Sequence, residues 1–172
     1  MHAVLQTVDL ATGADLDAIA AAQAASEGVI GHEAQIAALA RAALASDTLH
    51  QAVASEHRRE MYVAAPVGDI LLEGYVDLTY RSRDPDGLVV VDYKTDAWRD
   101  DAELDEKLAR YRLQGAAYAV ALETATGLPV VGCVFLFLTP DRAVARPIQD
   151  LAAATAAVRA RLGASAAGAR TP

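Results

Sequence analysis

The sequence predicts an α/β protein in which a mixed central sheet is flanked by helices and preceded by an N-terminal helical arm. Three observations support this fold class. Apolar and polar residues alternate over residues 70–80, as they do in a half-buried strand. Residues 130–138 form a nearly continuous apolar run, which is typical of a central strand covered on both faces. Apolar residues recur at three- and four-residue steps over 102–124, which indicates a long amphipathic helix.

Composition narrows the class of protein. The chain has 172 residues, of which 53% are hydrophobic, so it is long enough to bury one core. No stretch approaches the roughly 18 uninterrupted apolar residues of a membrane helix. The N-terminus lacks a signal-peptide pattern, so we expect a cytoplasmic protein with no membrane association. The single cysteine, Cys133, is expected in the core, and one cysteine excludes a four-cysteine iron–sulfur cluster.

The remaining elements follow from local signals. We predict helices over residues 1–8, 15–26, 31–46 and 47–55, with Asp47 as the N-cap of the last one. A strand over 57–67 is joined to the strand at 70–80 by Gly68-Asp69, which favours a hairpin. Gly127 is predicted to end the long helix as its C-cap. An edge strand over 143–146 and a helix over 147–162 complete the prediction.

We expect these elements to form one structural domain. Residues 1–56 would be the helical arm, 57–162 the core built around the sheet and 163–172 a flexible tail.

A second hairpin is predicted from turn chemistry. The connection at 81–87 contains Asp84-Pro85-Asp86-Gly87, in which proline presets φ and glycine accepts the positive φ that ends such loops. A strand over 88–95 follows. If the turn is centred between Asp84 and Pro85, Leu78 faces Val91 and Tyr80 faces Val89. The same register places Val76 opposite Tyr93 and Asp77 opposite Asp92, and it keeps one face of residues 70–80 apolar.

This register gathers charged groups around one point. Lys94 is two residues beyond Asp92 and therefore shares its face of the strand. Two close carboxylates repel each other, and a divalent cation with oxygen ligands such as Mg²⁺ removes that conflict. Lys94 would then orient or deprotonate a water, or stabilise charge on a phosphate. The alternative is an ordinary Asp–Lys ion pair on an exposed sheet face.

Three motifs occur in a fixed order: G-x-x-D at 74–77, D-Y-K-T-D at 92–96 and Y-x-x-Q-x-x-x-Y at 111–118. The set resembles the RecB-like group of PD-(D/E)XK nucleases, found at the C-terminus of UvrD/Rep-type helicase-nucleases such as RecB and AddA. The resemblance implies a restriction-endonuclease-like core. It also implies a RecB-type exonuclease domain that hydrolyses DNA in repair or recombination.

The resemblance further implies residue roles. Asp77, Asp92 and the backbone carbonyl of Tyr93 would bind Mg²⁺ or Mn²⁺, and Lys94 would position or activate the attacking water. Gln114 and Tyr118 would lie beside the active site and position DNA or the catalytic groups, with Tyr111 as an auxiliary. The segment MHAVLQ resembles the end of a G-x-x-x-H-like motif, which places His2 at the metal.

Two further acidic residues are candidates for an auxiliary role. Glu60 occupies the place where many family members carry an acidic residue ahead of G-x-x-D. It would reach the metal directly or through water, or else form a salt bridge with an arginine near Arg58 and Arg59. Glu73 shares the predicted face of Asp77 and competes for the same role.

The net charge of −8 argues against tight DNA binding by the chain alone, because phosphate contacts supply most nonspecific affinity. We therefore expect the chain to be a piece of, or partner to, a UvrD-like helicase motor that grips the DNA. The alternative is a catalytically inactive DNA-binding or structural module of a helicase complex. The presence of Asp77, Asp92 and Lys94 disfavours that alternative.

Overall fold

The computed structural model describes residues 1–168 and contains one five-stranded sheet in the order β1-β2-β3-β4-β5. The strands are β1 (His57–Val67), β2 (Ile70–Arg83), β3 (Asp86–Lys94), β4 (Val130–Leu138) and β5 (Ala143–Pro147). Neighbouring strands are antiparallel except β3 and β4, which are parallel and are joined by the long helix α5 (Asp101–Thr126). The predicted mixed sheet is confirmed.

Helices cover both faces of this sheet. The others are α1 (His2–Thr7), α2 (Leu16–Ser26), α3 (Glu33–Leu44), α4 (Asp47–Val53) and α6 (Leu151–Gly168). The first four pack with Leu78, Val91 and Leu136 on one face, and α5 and α6 pack with Val76 and Phe135 on the other. This three-layer arrangement confirms the predicted α/β class. Within residues 1–168, no helix is long and apolar enough to cross a bilayer.

Several element ends differ from the prediction. The N-cap of α4 is Ser46 rather than Asp47, because the Ser46 hydroxyl accepts the Leu49 N–H at 3.3 Å. Strand β2 ends at Arg83 and β3 begins at Asp86, so the connection consists of residues 84–85 and is much shorter than the predicted 81–87. The Arg81 guanidinium donates two hydrogen bonds to the Asp86 carboxylate, at 2.8 and 2.6 Å, and ties the strand ends together.

The last helix begins later and ends later than predicted. Pro147 still pairs with Val134 in the sheet, so the helix cannot begin there. Asp150 has φ 51°, and its carboxylate accepts the Ala153 N–H at 3.0 Å just ahead of the first turn. The helix then continues to Gly168, through part of the predicted tail. The rest of that tail, 169–172, lies outside the described residues.

The predicted register of β2 and β3 is confirmed near the turn but not beyond it. Leu78 pairs with Val91 and Tyr80 pairs with Val89. The ladder ends at Leu78, so the predicted direct pairing of Asp77 with Asp92, and of Val76 with Tyr93, is wrong. On the N-terminal side of Leu78, β2 pairs only with β1. The site described below lies at this point, where β2 and β3 separate.

The prediction of one continuous apolar face on β2 is also wrong. Val76 packs with α5, whereas Leu78 packs with the N-terminal helices, so the alternation of faces breaks at Asp77. The pairing of β1 with β2 skips Asp77 and Glu60, and Glu60 has φ 46°. This left-handed backbone at Glu60 is rare for a residue other than glycine, and it reverses the faces of both strands together. As a result, the half of the hairpin beyond Glu60 packs against α5.

Candidate active site

A cavity of about 270 Å³ lies at the carboxyl end of β3. It brings together polar side chains from three secondary-structure elements and the first helix. The residues that line it are His2, Asp77, Asp92, Tyr93, Lys94, Thr95, Asp96, Gln114 and Tyr118. A larger depression of about 840 Å³ between the N-terminal helices has only an exposed Arg41–Asp17 ion pair and scattered polar groups. The smaller cavity, which collects the predicted site residues, is therefore the candidate active site.

Asp77 connects β2, β3 and α1. Its Oδ2 atom accepts the Tyr93 backbone N–H at 2.7 Å, at the point where the ladder between the strands has ended. The His2 Nε2 atom lies 3.4 Å from the same oxygen and 3.2 Å from the Tyr93 carbonyl oxygen. The hydrogen bond to Asp77 raises the pKa of His2, although partial burial opposes the shift. The structure thus brings together His2, Asp77 and the Tyr93 carbonyl.

Asp92 and Lys94 form a buried ion pair on the other side of the cavity. The Nζ–Oδ2 distance is 2.6 Å, and the two side chains are 14% and 5% exposed for Lys94 and Asp92 respectively. The Lys94 ammonium is therefore the partner of this buried oxygen, which has no other hydrogen-bond donor within residues 1–168. Burial raises the pKa of Asp92, while the neighbouring Lys94 ammonium opposes that shift. A buried carboxylate is costly unless it is paired, and Lys94 supplies that pairing here.

The helix α5 holds Lys94 in place. Its Nζ atom donates to Gln114 Oε1 at 3.2 Å and lies 4.2 Å from the centre of the Tyr111 ring. Gln114 Nε2 in turn donates to the Tyr118 hydroxyl at 3.1 Å. The half-buried Gln114 amide therefore has a partner at both its oxygen and its nitrogen, which offsets the cost of burying it. The predicted glutamine and tyrosines all contact the lysine or its partner.

Two neighbours of Lys94 were not identified from sequence. The Phe135 ring centre lies 5.6 Å from Nζ, and the Asp96 carboxylate accepts the Tyr111 hydroxyl at 2.8 Å. Burial and this bond raise the pKa of Tyr111 to about 12. Asp96 belongs to the D-Y-K-T-D motif, which was a usable signal. Phe135 lies opposite Asp92 on β4, and that placement requires the parallel register of two distant strands.

Gly74 has a specific role in this arrangement. A Cβ atom at this position would lie 2.9 Å from the Cε1 atom of Tyr118. Only glycine lets the tyrosine ring lie directly on the strand that leads to Asp77. The first residue of the G-x-x-D motif therefore positions Tyr118, and through it Gln114.

The two auxiliary acidic candidates differ in placement. Glu60 faces the charges of Asp77 and His2, and partial burial, followed by the Asp77 charge, raises its pKa. It takes part in none of the ion pairs found in the described residues: Arg58 pairs with Glu56 at 3.8 Å, and Arg59 donates to backbone carbonyls of the N-terminal segment. The salt-bridge alternative for Glu60 is therefore not formed. Glu73 instead accepts the Tyr62 hydroxyl at 2.8 Å on an exposed face, away from the cavity lining.

The donor set suits a hard divalent cation. Within residues 1–168, no three His, Cys, Asp or Glu side chains are already arranged as a cation cluster. However, the two carboxylates, the Tyr93 carbonyl and the His2 imidazole converge on one cavity. Oxygen ligands of this kind are those that Mg²⁺ prefers. The carboxylates of Asp77 and Asp92 and the Tyr93 carbonyl supply such oxygens at this cavity, so the residues fit such an ion.

The chain is similar in sequence to one known protein family. The sequence matches the profile of the PD-(D/E)XK nuclease superfamily over residues 1–172. Among curated proteins, none matches the chain. Among solved structures, the chain is similar to the crystal structure of SSO0001, with 20% identity, a TM-score of 0.39, and coverage of 87% of this chain and 70% of that one. From the match over its whole length, the chain belongs to the PD-(D/E)XK nuclease superfamily.

Proposed function

We propose that this protein is a metal-dependent deoxyribonuclease that hydrolyses DNA phosphodiester bonds at the cavity of Asp77, Asp92 and Lys94. One observation carries the proposal: a buried Asp92–Lys94 ion pair, with 2.6 Å between Nζ and Oδ2, lines the same cavity as a second carboxylate, Asp77. Burying such a pair has a desolvation cost, and functional sites are where such costs are found. Membership in a nuclease superfamily supplies the class of reaction.

The side chains have distinct roles in this proposal. Asp77, Asp92 and the Tyr93 carbonyl would hold Mg²⁺ or Mn²⁺, with His2 at the edge of the site. When bound, the ion supplies Lewis-acid stabilisation of the charge that develops on phosphate. The Lys94 ammonium lies 2.6 Å from an Asp92 oxygen, so it is placed to orient a water or to neutralise a phosphate oxygen at the same point.

The residues of α5 act through Lys94. Gln114 accepts a hydrogen bond from the ammonium, and Tyr118 accepts one from Gln114, which leaves Lys94 little freedom to turn away from Asp92. Tyr111 lies under the ammonium and is itself held by Asp96. Gln114, Tyr118 and Tyr111 are therefore positioning residues. Glu60 is a candidate for an outer-sphere contact to the ion through water.

We also propose the larger setting. The order and spacing of the three motifs support a RecB/AddA-like exonuclease domain that acts in DNA repair or recombination. The net charge of −8 supports a UvrD-like helicase motor, in the same or a partner chain, that supplies the grip on DNA.

The test is cleavage of labelled single-stranded DNA with Mg²⁺ or Mn²⁺, with EDTA as the metal-free control. We expect cleavage that is lost in Asp92→Asn and Lys94→Ala. Lys107→Ala is the matched control, because Lys107 is the only other lysine of the sequence. It lies on α5 and pairs with Glu103, four residues earlier on the same helix, at 3.8 Å. Cleavage that survives both site variants would refute the assigned site. An absence of cutting and of Mn²⁺ binding would instead favour an inactive module.

A further inference from the structure

An exposed aromatic surface adjoins the proposed active site. Beyond Glu60, the hairpin of β1 and β2 carries Tyr62, Tyr75 and Leu71 with 53%, 62% and 60% of their surface exposed. Met61, Val63 and Val76 face α5. Because side chains alternate along a strand, Tyr62, Tyr75 and Leu71 lie on the opposite side of the sheet. The N-terminal helices cover that side at Leu78 and Tyr80 but do not cover it here. We call Tyr62, Tyr75 and Leu71 the hairpin surface.

The two tyrosines are already ordered. Tyr62 and Tyr75 are directly paired across the strands, and their ring centres lie 5.2 Å apart. The Tyr62 hydroxyl donates to Glu73 at 2.8 Å, which fixes the orientation of its ring. Rings held in this way lose little conformational entropy when a flat ligand covers them.

The hairpin surface is close to the carboxylates. Tyr75 precedes Asp77 by two residues, which corresponds to about 7 Å along a strand. The tyrosine pair lies on the face opposite α5, whereas the cavity is lined by α5 on one side and by His2 of α1 on the other. A strand would reach the tyrosine pair from the site by leaving the cavity on the His2 side and following β2.

The charges of the hairpin surface favour bases over phosphates. Residues 61–76 include two acidic residues, Asp69 and Glu73, and no lysine or arginine. Phosphate groups gain nothing from this surface, whereas a base has a π-face that stacks on tyrosine without any protein charge. Bases of a duplex are already stacked and paired, so the accessible ligand is an unpaired strand. Stacking also offers an acidic protein a means of holding DNA that does not depend on counterion release.

We propose that Tyr62 and Tyr75 form a stacking platform that binds the bases of single-stranded nucleic acid next to the active site. The proposal rests on the proposed nuclease function for the location of the strand. It names single strands as the substrate class and makes the tyrosine pair a substrate-binding feature outside the metal cavity.

Binding is measured separately from cleavage. The probe is a fluorescent oligothymidylate. Its anisotropy is followed as the full chain is added, once in Ca²⁺ and separately in EDTA. Each Tyr→Ala change is expected to weaken binding about fivefold or more, and Tyr62→Phe and Tyr75→Phe are expected to restore it, because the phenyl ring keeps the stacking surface. Leu113→Ala is the matched control, because Leu113 is 48% exposed on α5. Thermal unfolding of each variant is the control that tests whether it is folded.

A second probe separates stacking from other contacts. An abasic oligonucleotide of the same length keeps the phosphates and lacks the bases, so the Tyr→Ala variants should bind it as wild type does. Three outcomes would overturn the platform. They are equal binding of oligothymidylate by wild type and variants, equal losses on both probes, and no binding by wild type. An effect confined to a protein partner would then be the alternative. Because binding is measured without turnover, a missing nuclease activity leaves this result readable.

Discussion

The two ends of the β2–β3 hairpin each contain an ion pair between a cation and an aspartate, and the pairs differ in almost every respect. At the turn, Arg81 donates two hydrogen bonds to Asp86, whose side chain is 68% exposed. At the other end, Lys94 meets Asp92 in a nearly dry site, with side chains 14% and 5% exposed. The first pair completes a solvated turn, whereas the second is buried and lines the cavity of the proposed active site.

The comparison shows where a fold concedes stability. The turn end satisfies its polar groups locally and continues the ladder to the last residue. The far end gives up strand pairing, lies beside the left-handed Glu60 of β1, and places the half-buried Asp77 and the buried Asp92 in one cavity. Buried charges and strained backbone are expected at functional sites. The following substitutions at matched positions test this difference.

The largest expected effect is on metal binding. Asp77→Asn should weaken Mn²⁺ binding by about 100-fold, or ~2.7 kcal/mol, because it removes a ligand charge rather than an outer-shell contact. Asp86→Asn, at the turn end, should leave the affinity unchanged. Isothermal titration calorimetry of the two variants measures both. Equal affinities in the two variants would mean that Asp77 is not a ligand.

The second effect is a gain in stability without metal. Replacing Asp92 with Leu and Lys94 with Met together should raise the free energy of unfolding by about 2 kcal/mol, because apolar residues of similar volume often outperform a buried ion pair. The same replacement of Asp86 and Arg81 should change it by less than about 1 kcal/mol, since that pair is largely solvated. Urea unfolding in EDTA gives both values. A destabilised Leu/Met variant would show that the buried pair supports the fold.

The third prediction concerns a glycine at each end. A Cβ atom on Gly87 would lie 2.6 Å from the Pro129 carbonyl oxygen, which is backbone, so Gly87→Ala should destabilise the protein by about 1–2 kcal/mol. A Cβ atom on Gly74 meets only the movable Tyr118 ring. Gly74→Ala should therefore reduce cleavage more than stability. Thermal unfolding and cleavage rates of the two variants measure both effects. A Gly74→Ala variant that loses stability more than cleavage would show that the tyrosine has no positioning role.

The smallest expected effect is at Glu60. Glu60→Asn should stabilise the protein by about 0.5 kcal/mol, because asparagine tolerates left-handed backbone better than glutamate. Glu73→Asn is the control, because Glu73 lies in the regularly paired part of β2, opposite Ala64. Chemical denaturation distinguishes the two. No gain at Glu60 would mean that contacts of its side chain offset the backbone strain.

Local signals predicted the regular parts of the molecule. Proline placed the β2–β3 turn correctly, and the pairing of Leu78 with Val91 followed from it. The expected positive φ at Gly87 is wrong, because Gly87 lies within β3 and pairs with Ser82. Gly127 ends α5 with φ 71°, as its C-cap role requires, and Cys133 is buried in the core. Each of these features depends on a few adjacent residues or on simple hydrophobicity.

The reversal of faces at Asp77 was beyond sequence reasoning. It depends on Glu60 of a different strand, and glutamate carries no propensity that announces left-handed backbone. The residues of the motifs nevertheless meet in the structure, although Asp77 reaches β3 through the Tyr93 N–H rather than by cross-strand pairing. Phe135 was missed because an apolar residue in an apolar run carries no sign of its position beside a lysine.

The contact between His2 and Tyr93 has a consequence for the order in which the protein folds. It joins residues 91 positions apart, whereas the other groups of the cavity lie within one continuous stretch from Asp77 to Tyr118. Closing a longer loop costs more chain entropy, and contacts of long separation form late. The carboxylates, the lysine and its supporting helix can therefore assemble first, and the docking of a six-residue helix completes the site.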